Sequence, residues 1–301
     1  MKYVFVINSC SGRSEVKEDL FKQLEKYKDA IEYEICDLKS REETVDFIKK
    51  YCQTNKQETV FVAVGGDGTL NTVVSGVIGY DNALVTCYPV GSGNDFVKIY
   101  GGKEKFLDLN NIITGEEVII DVMKVNDNLY SVNVANFGFE AAVCDVANNV
   151  RRKKIIGGRN SYTTGIITSI FKSMKTKCSI IADGETLVEK HILLGGASNG
   201  KYVGGAYKCA PYSDNQDGLL EVCIVKPISI FKFVSLIGKY KDGKHLDDPK
   251  LRKIITYKRA KKVIIESDDK FKICLDGEIY KGSRFEIENM KQVLRFIKPK
   301  E

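Results

Sequence analysis

Small residues and carboxylates gather in three loops in the first third of the chain. The loops span residues 8–13, 65–69 and 89–95, and each directly follows an apolar segment typical of a buried β-strand. In an open parallel sheet the carboxyl ends of the strands share one edge, so the loops are expected to lie together. Glycine lets backbone amides approach phosphate oxygens, and a helix N-terminus attracts anions. The three loops therefore predict a site for a polyphosphate.

Three polar side chains in these loops have no role in a plain strand-to-helix turn. They are Asp67, Asn94 and Asp95, which supply carboxylate and amide oxygens beside the expected phosphate site. An ordinary turn explains any one loop, but it does not explain the three together. Neither the G-x-G-x-x-G motif of dinucleotide-binding folds nor the G-x-x-x-x-G-K-[ST] motif of P-loop proteins occurs, so the sequence predicts a different kind of phosphate site.

The first part of the chain alternates strand-like and helix-like segments. A Ser40-x-x-Glu43 capping box marks the start of the second helix. Strands that alternate with helices predict a parallel, Rossmann-like sheet covered on both faces. The strands are expected at residues 3–7, 32–36, 59–64 and 83–88, with helices at 14–27, around 45–52 and at 70–78.

After about residue 121 the pattern changes to short apolar runs joined by turn residues such as Asp183-Gly184. This pattern predicts a mainly antiparallel β domain interrupted by two helices. The strands are expected at residues 118–125, 129–135, 179–182, 186–188, 222–225, 263–265, 271–275 and 285–287, with helices near 140–152 and 228–240.

The composition is that of a globular protein with enough apolar material for a core. The 301 residues carry 46 basic and 40 acidic side chains, a net charge of +6, and 43% of them are hydrophobic. No stretch approaches the ~20 apolar residues of a membrane-spanning helix, and no signal peptide is expected. Nine widely spaced cysteines predict reduced thiols in a cytoplasmic protein. No nucleic-acid-binding motif accompanies the positive charge, so no nucleic-acid partner is expected.

The motifs GGDGTLN at residues 65–71 and PVGSGNDF at 89–96 resemble the catalytic domain of the diacylglycerol kinase family, and especially its soluble bacterial lipid kinases. DGLLEV at 217–222 and DGE at 276–278 resemble later elements of that family, so the resemblance covers nearly the whole chain. It implies a NAD kinase/diacylglycerol kinase-like fold. Residues 1–121 would form the nucleotide-binding α/β domain and 122–287 a β-sandwich domain for lipid substrate and metal, with residues 288–301 returning to the first.

The resemblance also implies an ATP- and Mg²⁺-dependent kinase that transfers the γ-phosphate to a lipid hydroxyl, with diacylglycerol, which gives phosphatidic acid, as the first candidate. It places Ser40 at the nucleotide, although the helix cap explains this serine equally well. The residues implied in ATP binding are Asn8, Gly12, Arg13, Ser40, Gly65, Gly66, Asp67, Gly68, Thr69, Leu70, Asn71, Ser92, Asn94 and Asp95.

Two carboxylates are expected to take part in the chemistry. Phosphoryl transfer needs a divalent metal at the phosphates and a base aimed at the attacking hydroxyl. Asp67 is the candidate that organises Mg²⁺, because a hard cation prefers carboxylate oxygen. The resemblance implies Glu278 as the base, whereas the residues alone favour a turn carboxylate that follows Asp276-Gly277.

A second Mg²⁺ site is implied by the resemblance at Asp214, Asp217 and Leu219, where the Asp217 carboxylate would be joined by two backbone carbonyls. The same segment is equally consistent with an acidic turn that holds no metal. Two departures from the family pattern are expected to weaken or retune nucleotide binding. Ser9 replaces a proline that fixes the first loop, and Lys98 replaces an arginine capable of bidentate phosphate binding.

Three other functions match parts of the sequence. An NAD kinase shares GGDG, but this function does not explain the later GND and DGE motifs. A non-catalytic nucleotide-binding regulator is a second alternative, although Asp67 and Glu278 are both present. GASNG at residues 196–200 matches the nucleophile motif of α/β-hydrolases, with His245 downstream, but residues 201–205 make a poor helix start.

The apolar segment 228–240 carries Lys232 and Lys239, and Lys241 follows it directly. It fits either a packed crossover helix or a helix that touches a membrane with its basic end. A kinase whose acceptor resides in a membrane must contact the bilayer. We therefore expect transient peripheral contact at the inner membrane face, together with a family-like homodimer.

Overall fold

The computed structural model describes residues 1–7, 14–154 and 174–300. The chain divides into two compact units. The first comprises Met1–Val122, Asn215–Asp217 and Met290–Glu301, and the second comprises Met123–Asp214 and Gly218–Asn289.

In the first unit, strands and helices alternate from the N-terminus. β1 pairs with β2 and β3, and β3 pairs with β4, always in parallel, which confirms the predicted sheet. The elements are β1 (Lys2–Ile7), α1 (Ser14–Tyr27), β2 (Glu32–Asp37), α2 (Arg41–Thr54), β3 (Thr59–Gly65), α3 (Asp67–Val77), β4 (Ala83–Pro89), a 3₁₀ turn (Phe96–Tyr100), α4 (Lys103–Phe106), α5 (Leu109–Ile113) and β5 (Glu116–Val125), whose last three residues belong to the second unit.

The central strands of this sheet are buried along their whole length, as expected for parallel strands with both faces covered. Phe5, Val62 and Leu84 pack in one cluster with Leu20 and Leu24 from α1. Burying side chains of this size stabilises a fold by about 1.5–3 kcal/mol each, so the cluster holds the strand ends in a fixed order. The candidate loops at residues 65–69 and 89–95 leave the sheet at those ends.

The second unit is built from antiparallel strands. The main order is β14-β13-β12-β7-β15-β16, and β9 joins β15 with β10 beside it. The elements are β6 (Leu129–Ser131), β7 (Val134–Gly138), α6 (Phe139–Lys154), β8 (Thr176–Lys177), β9 (Ser179–Ala182), β10 (Glu185–Val188), β11 (His191–Ile192), β12 (Leu194–Ser198), β13 (Leu220–Val225), α7 (Ile230–Lys241), a 3₁₀ turn (Pro249–Leu251), β14 (Ile255–Ala260), β15 (Lys262–Leu275) and β16 (Glu278–Lys298).

Two of these strands are much longer than the sequence pattern predicts. The runs at 263–265 and 271–275 both belong to β15, and the run at 285–287 lies inside β16. The polar stretch between the first two runs looks like a turn, but the pairing of β15 with β16 instead shifts register between Glu266 and Phe271. A bulge absorbs the extra residues without ending the strand. The prediction of separate short strands is therefore wrong here.

The end of β16 lies in the first unit, where Phe296 stands beside Val85 of β4 in parallel register. Within the described residues no helix is both long and apolar enough to span a membrane. The eight described cysteines are free thiols, and six of them are buried.

Candidate nucleotide site and catalytic turn

Two of the three predicted loops touch each other in the first unit. A Cβ atom added to Gly91 would lie 2.5 Å from the Cα of Gly66, so position 91 has no room for a side chain without movement of the backbone. The Val90 N–H donates to the Gly65 carbonyl at 3.0 Å, which ties the ends of β3 and β4 together. Glycine at position 91 is therefore a packing requirement, and it leaves backbone at the edge where the phosphate site is predicted.

Asp67 is the first residue of α3, and its carboxylate joins the two loops. Its Oδ1 accepts a hydrogen bond from the Phe96 N–H at 3.1 Å. A Cβ atom on Gly93 would lie 3.1 Å from Oδ2 of Asp67 and 3.5 Å from Oδ2 of Asp95. Two carboxylate groups therefore flank Gly93 at the N-terminal end of a helix. Such hard oxygen donors fit a divalent cation that carries a phosphate.

Aromatic packing fixes the loop that carries Asp95. Phe96 lies edge-on to Phe296 with 5.2 Å between ring centroids, and Tyr100 stacks on the other side of the cluster at 5.5 Å from Phe296. Asp95 itself is buried and pairs with Lys98, whose Nζ is 2.5 Å from its Oδ1. Lys98, which stands where the family pattern has an arginine, thus pairs with Asp95, and its expected effect on nucleotide binding stays a prediction.

Asn94 occupies a strained position in the same loop. Its backbone φ is 49°, in the left-handed region that asparagine tolerates better than most residues. The side-chain amide donates to the carbonyls of Gly91 at 2.8 Å and Pro89 at 3.4 Å. Its Oδ1 is buried without a hydrogen-bond partner among the described residues. An unsatisfied buried acceptor is costly, so this oxygen suits a bound donor group or cation.

Of the other residues predicted to bind ATP in these two loops, those within α3 are mostly buried and do not face solvent. Thr69, Leu70 and Asn71 are all buried, and the Thr69 side chain fills the space beside Gly65. Gly68 is partly exposed and Ser92 is exposed. Asn8, Gly12 and Arg13 lie outside the described residues, as do Ser9 and its loop.

Ser40 caps α2, as its place in the capping box predicts. Its Oγ accepts a hydrogen bond from the Glu43 N–H at 3.1 Å. The returning bond goes to a different donor from the expected one, since Glu43 Oε2 accepts from the Lys39 N–H at 3.0 Å. A contact between Ser40 and a nucleotide stays a prediction.

Glu278 lies in the second unit, directly after a two-residue hairpin turn between β15 and β16. Asp276 has a φ of 48° and Gly277 a φ of 96°, which is the backbone of a tight turn with both central residues left-handed. Glu278 is half-buried and pairs with Leu275 across the turn. No ion pair joins it to another residue that the structure describes.

The side chain of Asp276 holds this turn in place through hydrogen bonds. The buried carboxylate accepts hydrogen bonds from Ser131 Oγ at 2.8 Å and from three backbone N–H groups: those of Val132 at 2.8 Å and of Asn133 and Val134 at 3.1 Å each. Such charge-assisted bonds are roughly twice as strong as neutral ones. The sequence singled out Asp276 only as part of a motif, and its role as a clamp becomes visible in the structure.

Helix α6 supports the same turn from another side. Asn148 donates from Nδ2 to the Gly277 carbonyl at 2.8 Å, and Cys144 Sγ lies 3.4 Å from the same oxygen. The turn before Glu278 is thus held by the Asp276 carboxylate and by α6, so the backbone of Glu278 is fixed before any ligand binds.

The residues of the predicted second metal site belong to different units. Asp217 lies in the first unit, next to Asn215, which donates to Tyr100 Oη at 2.8 Å. Asp214 and Leu219 lie in the second unit. Over residues 1–7, 14–154 and 174–300, no three His, Cys, Asp or Glu side chains form a group that could hold a metal. The predicted site relies on carbonyl ligands and stays a prediction.

The hydrolase alternative is not supported. Ser198 is the last residue of β12, and no helix follows it within residues 199–205. His245 is buried with Nε2 3.1 Å from the Cys209 carbonyl, and burial lowers its pKa to about 4. A nucleophile elbow needs a strand-to-helix turn, which this segment does not form.

The fold and the loops together define a class of protein in which a parallel α/β unit with glycine-rich strand ends is combined with an antiparallel β unit. The family model for the diacylglycerol kinase catalytic domain matches residues 2–125. The model for the YegS C-terminal NAD kinase beta sandwich-like domain matches residues 133–297. The chain therefore belongs to the diacylglycerol kinase catalytic-domain family, as the motifs predicted.

Individual relatives agree with this assignment. A diacylglycerol kinase from Bacillus subtilis (strain 168) is 30% identical over 247 residues, which cover 80% of this chain and 78% of the relative. The crystal structure of a diacylglycerol kinase from Bacillus anthracis str. Sterne has a TM-score of 0.73 at 19% identity and covers 99% of this chain and 96% of that one. At that identity the structure shows the shared fold alone, and it confirms the predicted fold class.

Proposed function

We propose that this protein is an ATP- and Mg²⁺-dependent kinase that phosphorylates a hydroxyl group of a membrane lipid, with diacylglycerol as the first acceptor to test. The observation that carries the proposal is the contact between the two glycine loops at Gly66 and Gly91, with the Asp67 carboxylate bonded across them. This arrangement offers exposed backbone, a helix N-terminus and carboxylate oxygens for a phosphate chain with its cation.

The residues present fit the metal and the nucleotide. Asp67 and Asp95 supply carboxylate oxygens, and the buried Oδ1 of Asn94 adds an unsatisfied acceptor beside them. When bound, Mg²⁺ would neutralise negative charge on the phosphates of ATP. Asn8, Gly12, Arg13 and Ser40 are proposed as further nucleotide contacts, and Asp214, Asp217 and Leu219 as the second metal site.

Glu278 is the proposed general base. It would accept the proton of the lipid hydroxyl while that oxygen forms a bond to the γ-phosphorus and the bond to the bridging oxygen of ADP breaks. A base must be held in place yet remain available to a substrate. The clamp at Asp276 meets the first requirement, and the lack of an ion pair to any described residue meets the second.

The direct test is transfer of labelled γ-phosphate from ATP with Mg²⁺ in mixed micelles. The acceptors are diacylglycerol, monoacylglycerol, phosphatidylglycerol and a sphingoid base, each alone, with NAD in a parallel reaction. We expect one labelled lipid, and chelation of Mg²⁺ should abolish its formation. Labelled NADP instead would make the protein an NAD kinase, and bound ATP with no labelled product would favour the non-catalytic regulator. Analytical ultracentrifugation of the same preparation tests the proposed homodimer.

A further inference from the structure

Helix α7 exposes the two least buried large apolar side chains of the described residues. Phe231 is 85% exposed and Val234 is 60% exposed. Residues three apart in a helix lie on the same face, so the two side chains form one patch. We call the outward face of α7, with Phe231, Val234 and the adjacent Lys232, the docking face.

The exposure is not the result of a loosely attached helix. Phe233, on the opposite side, packs against Phe139 with 5.1 Å between ring centroids. Tyr240 donates from its hydroxyl to Glu140 Oε1 at 2.5 Å, and Ser229 caps the N-terminus through the Lys232 N–H at 3.3 Å. The inner face of α7 is thus already occupied, and Phe231 and Val234 have no place in the core. The helix packs by one face, as the first alternative predicts, and its contact with a membrane stays a prediction.

The segment that contains this helix has a strong excess of basic over acidic side chains. Residues 226–253 contain eight basic and three acidic side chains, a net charge of +5, whereas the whole chain carries +6. The segment folds back on itself within the second unit, because Lys226 Nζ lies 3.4 Å from the Lys253 carbonyl and Lys239 pairs with Asp248. Lys232, Lys250, Arg252 and Lys253 are all exposed.

Charge and apolar exposure together identify the occupant. An apolar patch on a segment of net positive charge matches a bilayer with anionic head groups, in which the aromatic ring enters the interface and the ammonium groups remain at the phosphates. A second copy of the chain would bring the same +5 segment against itself, which like-charge repulsion opposes. Charge complementarity therefore favours the lipid surface.

We propose that the outward face of α7 docks this protein on anionic membranes, with Phe231 and Val234 inserted at the interface and the exposed basic side chains of residues 226–253 on the lipid head groups. The inference rests on the proposed function in that a kinase of a membrane lipid must reach its acceptor. Beyond the proposed function, the inference identifies the surface that contacts the bilayer and the head-group charge that this surface prefers.

The chain has no tryptophan, so a single Phe→Trp exchange makes a specific fluorescent probe. Phe231→Trp should show a blue-shifted emission when phosphatidylglycerol vesicles are added, and a much smaller shift with phosphatidylcholine vesicles. The matched control is Phe21→Trp on α1, where the native ring is 42% exposed, and its emission should not move. An unchanged Phe231→Trp spectrum, or equal shifts in both variants, would overturn the proposal. So would a shift without vesicles that grows with protein concentration, because a second copy would then cover the face.

A second pair of variants measures the contribution of the patch to binding. Phe231→Ser with Val234→Ser should weaken cosedimentation with phosphatidylglycerol vesicles by about tenfold or more, since two apolar side chains no longer leave water. Phe21→Ser should bind as the wild type does. Added salt should weaken wild-type binding, because the head-group attraction is screened.

Activity on a short-chain diacylglycerol in detergent micelles separates this proposal from the proposed function. The docking variants should phosphorylate that acceptor at the wild-type rate, because it needs no bilayer contact. Vesicle binding without any phosphorylated lipid would support the docking face while the proposed function fails. Phosphorylated lipid with an unmoved Phe231→Trp spectrum would overturn the docking face alone.

Discussion

The second unit contains two hairpin turns with the same sequence, Asp-Gly-Glu, and nearly the same backbone. In the early turn, Asp183 has a φ of 49° and Gly184 a φ of 82°; in the late turn, Asp276 and Gly277 have values of 48° and 96°. Each turn joins two antiparallel strands, and each glutamate pairs across its turn with the residue before the aspartate. Sequence and backbone alone do not distinguish the two turns.

The two turns differ in the burial and hydrogen bonding of their aspartates and in the ion pairing of their glutamates. Asp183 is exposed and accepts from the backbone N–H groups of Lys261 and Lys262, whereas Asp276 is buried and accepts four hydrogen bonds. Glu185 is exposed and forms an ion pair with Lys258 at 2.5 Å. A short motif therefore indicates a candidate site only where the fold fixes its backbone and leaves the carboxylate of its glutamate available.

The largest stability effect is expected at the buried clamp. Asp276→Asn keeps the left-handed backbone but sets an amide N–H₂ against one of the N–H groups that now meet a carboxylate oxygen. We expect a loss of about 3 kcal/mol in the free energy of unfolding, measured by urea denaturation. The matched variant Asp183→Asn should cost less than about 1 kcal/mol, because water can replace its bonds. Equal losses in the two variants would contradict the difference between the turns.

A pH experiment tests the helix that supports the late turn. Burial raises the pKa of Glu140, at the start of α6, to about 7, although a hydrogen bond from Tyr240 opposes the shift. Its neighbour Cys223 stays an uncharged thiol, because burial raises the pKa of that thiol. Folding therefore favours the protonated carboxyl. The stability from this group is fully present below pH 4.5 and is lost as the pH rises to about 7.

The expected size of that loss is about 3 kcal/mol, since each pKa unit corresponds to about 1.4 kcal/mol. Glu140→Gln should not show this loss, and the difference between the two unfolding curves isolates Glu140 from His245, whose pKa is lowered by burial to about 4 in both proteins. Parallel curves would show that folding does not raise the pKa of Glu140.

The smallest effect is expected at the exposed turn. Lys258→Met removes the partner of Glu185 but leaves an aliphatic side chain of similar length. An exposed ion pair contributes at most about 0.5–1 kcal/mol, so thermal unfolding should barely shift and phosphate transfer should not change. A fall in transfer activity would mean that the early turn, too, contributes to the reaction.

Much of the first unit could be predicted because its signals are local. Buried apolar runs that end in glycine loops define parallel strands, and the capping box at Ser40 marks the start of α2 within one residue. The contact between Gly66 and Gly91 was not predictable, since it depends on how two distant loops approach each other. The family motifs did, however, identify both glycine loops as candidate phosphate-binding loops.

The second unit was harder to predict because its strands are long and its key contacts join distant residues. The polar stretch in β15 looked like a turn, and only pairing with β16 shows that it is a bulge. The Asp276 clamp joins residues more than 140 positions apart in sequence. No local signal separates the early Asp-Gly-Glu from the late one, and only the resemblance to the family motif indicated Glu278.

The most direct test of the account is transfer of labelled phosphate by two matched variants, Glu278→Gln and Glu185→Gln. We expect Glu278→Gln to lower lipid phosphorylation by about 10²–10⁴-fold while ATP binding, measured by calorimetry, stays at the wild-type level. Glu185→Gln should transfer phosphate as the wild type does. Full activity in Glu278→Gln, or an equal loss in both variants, would contradict the assignment of the late turn as the catalytic one.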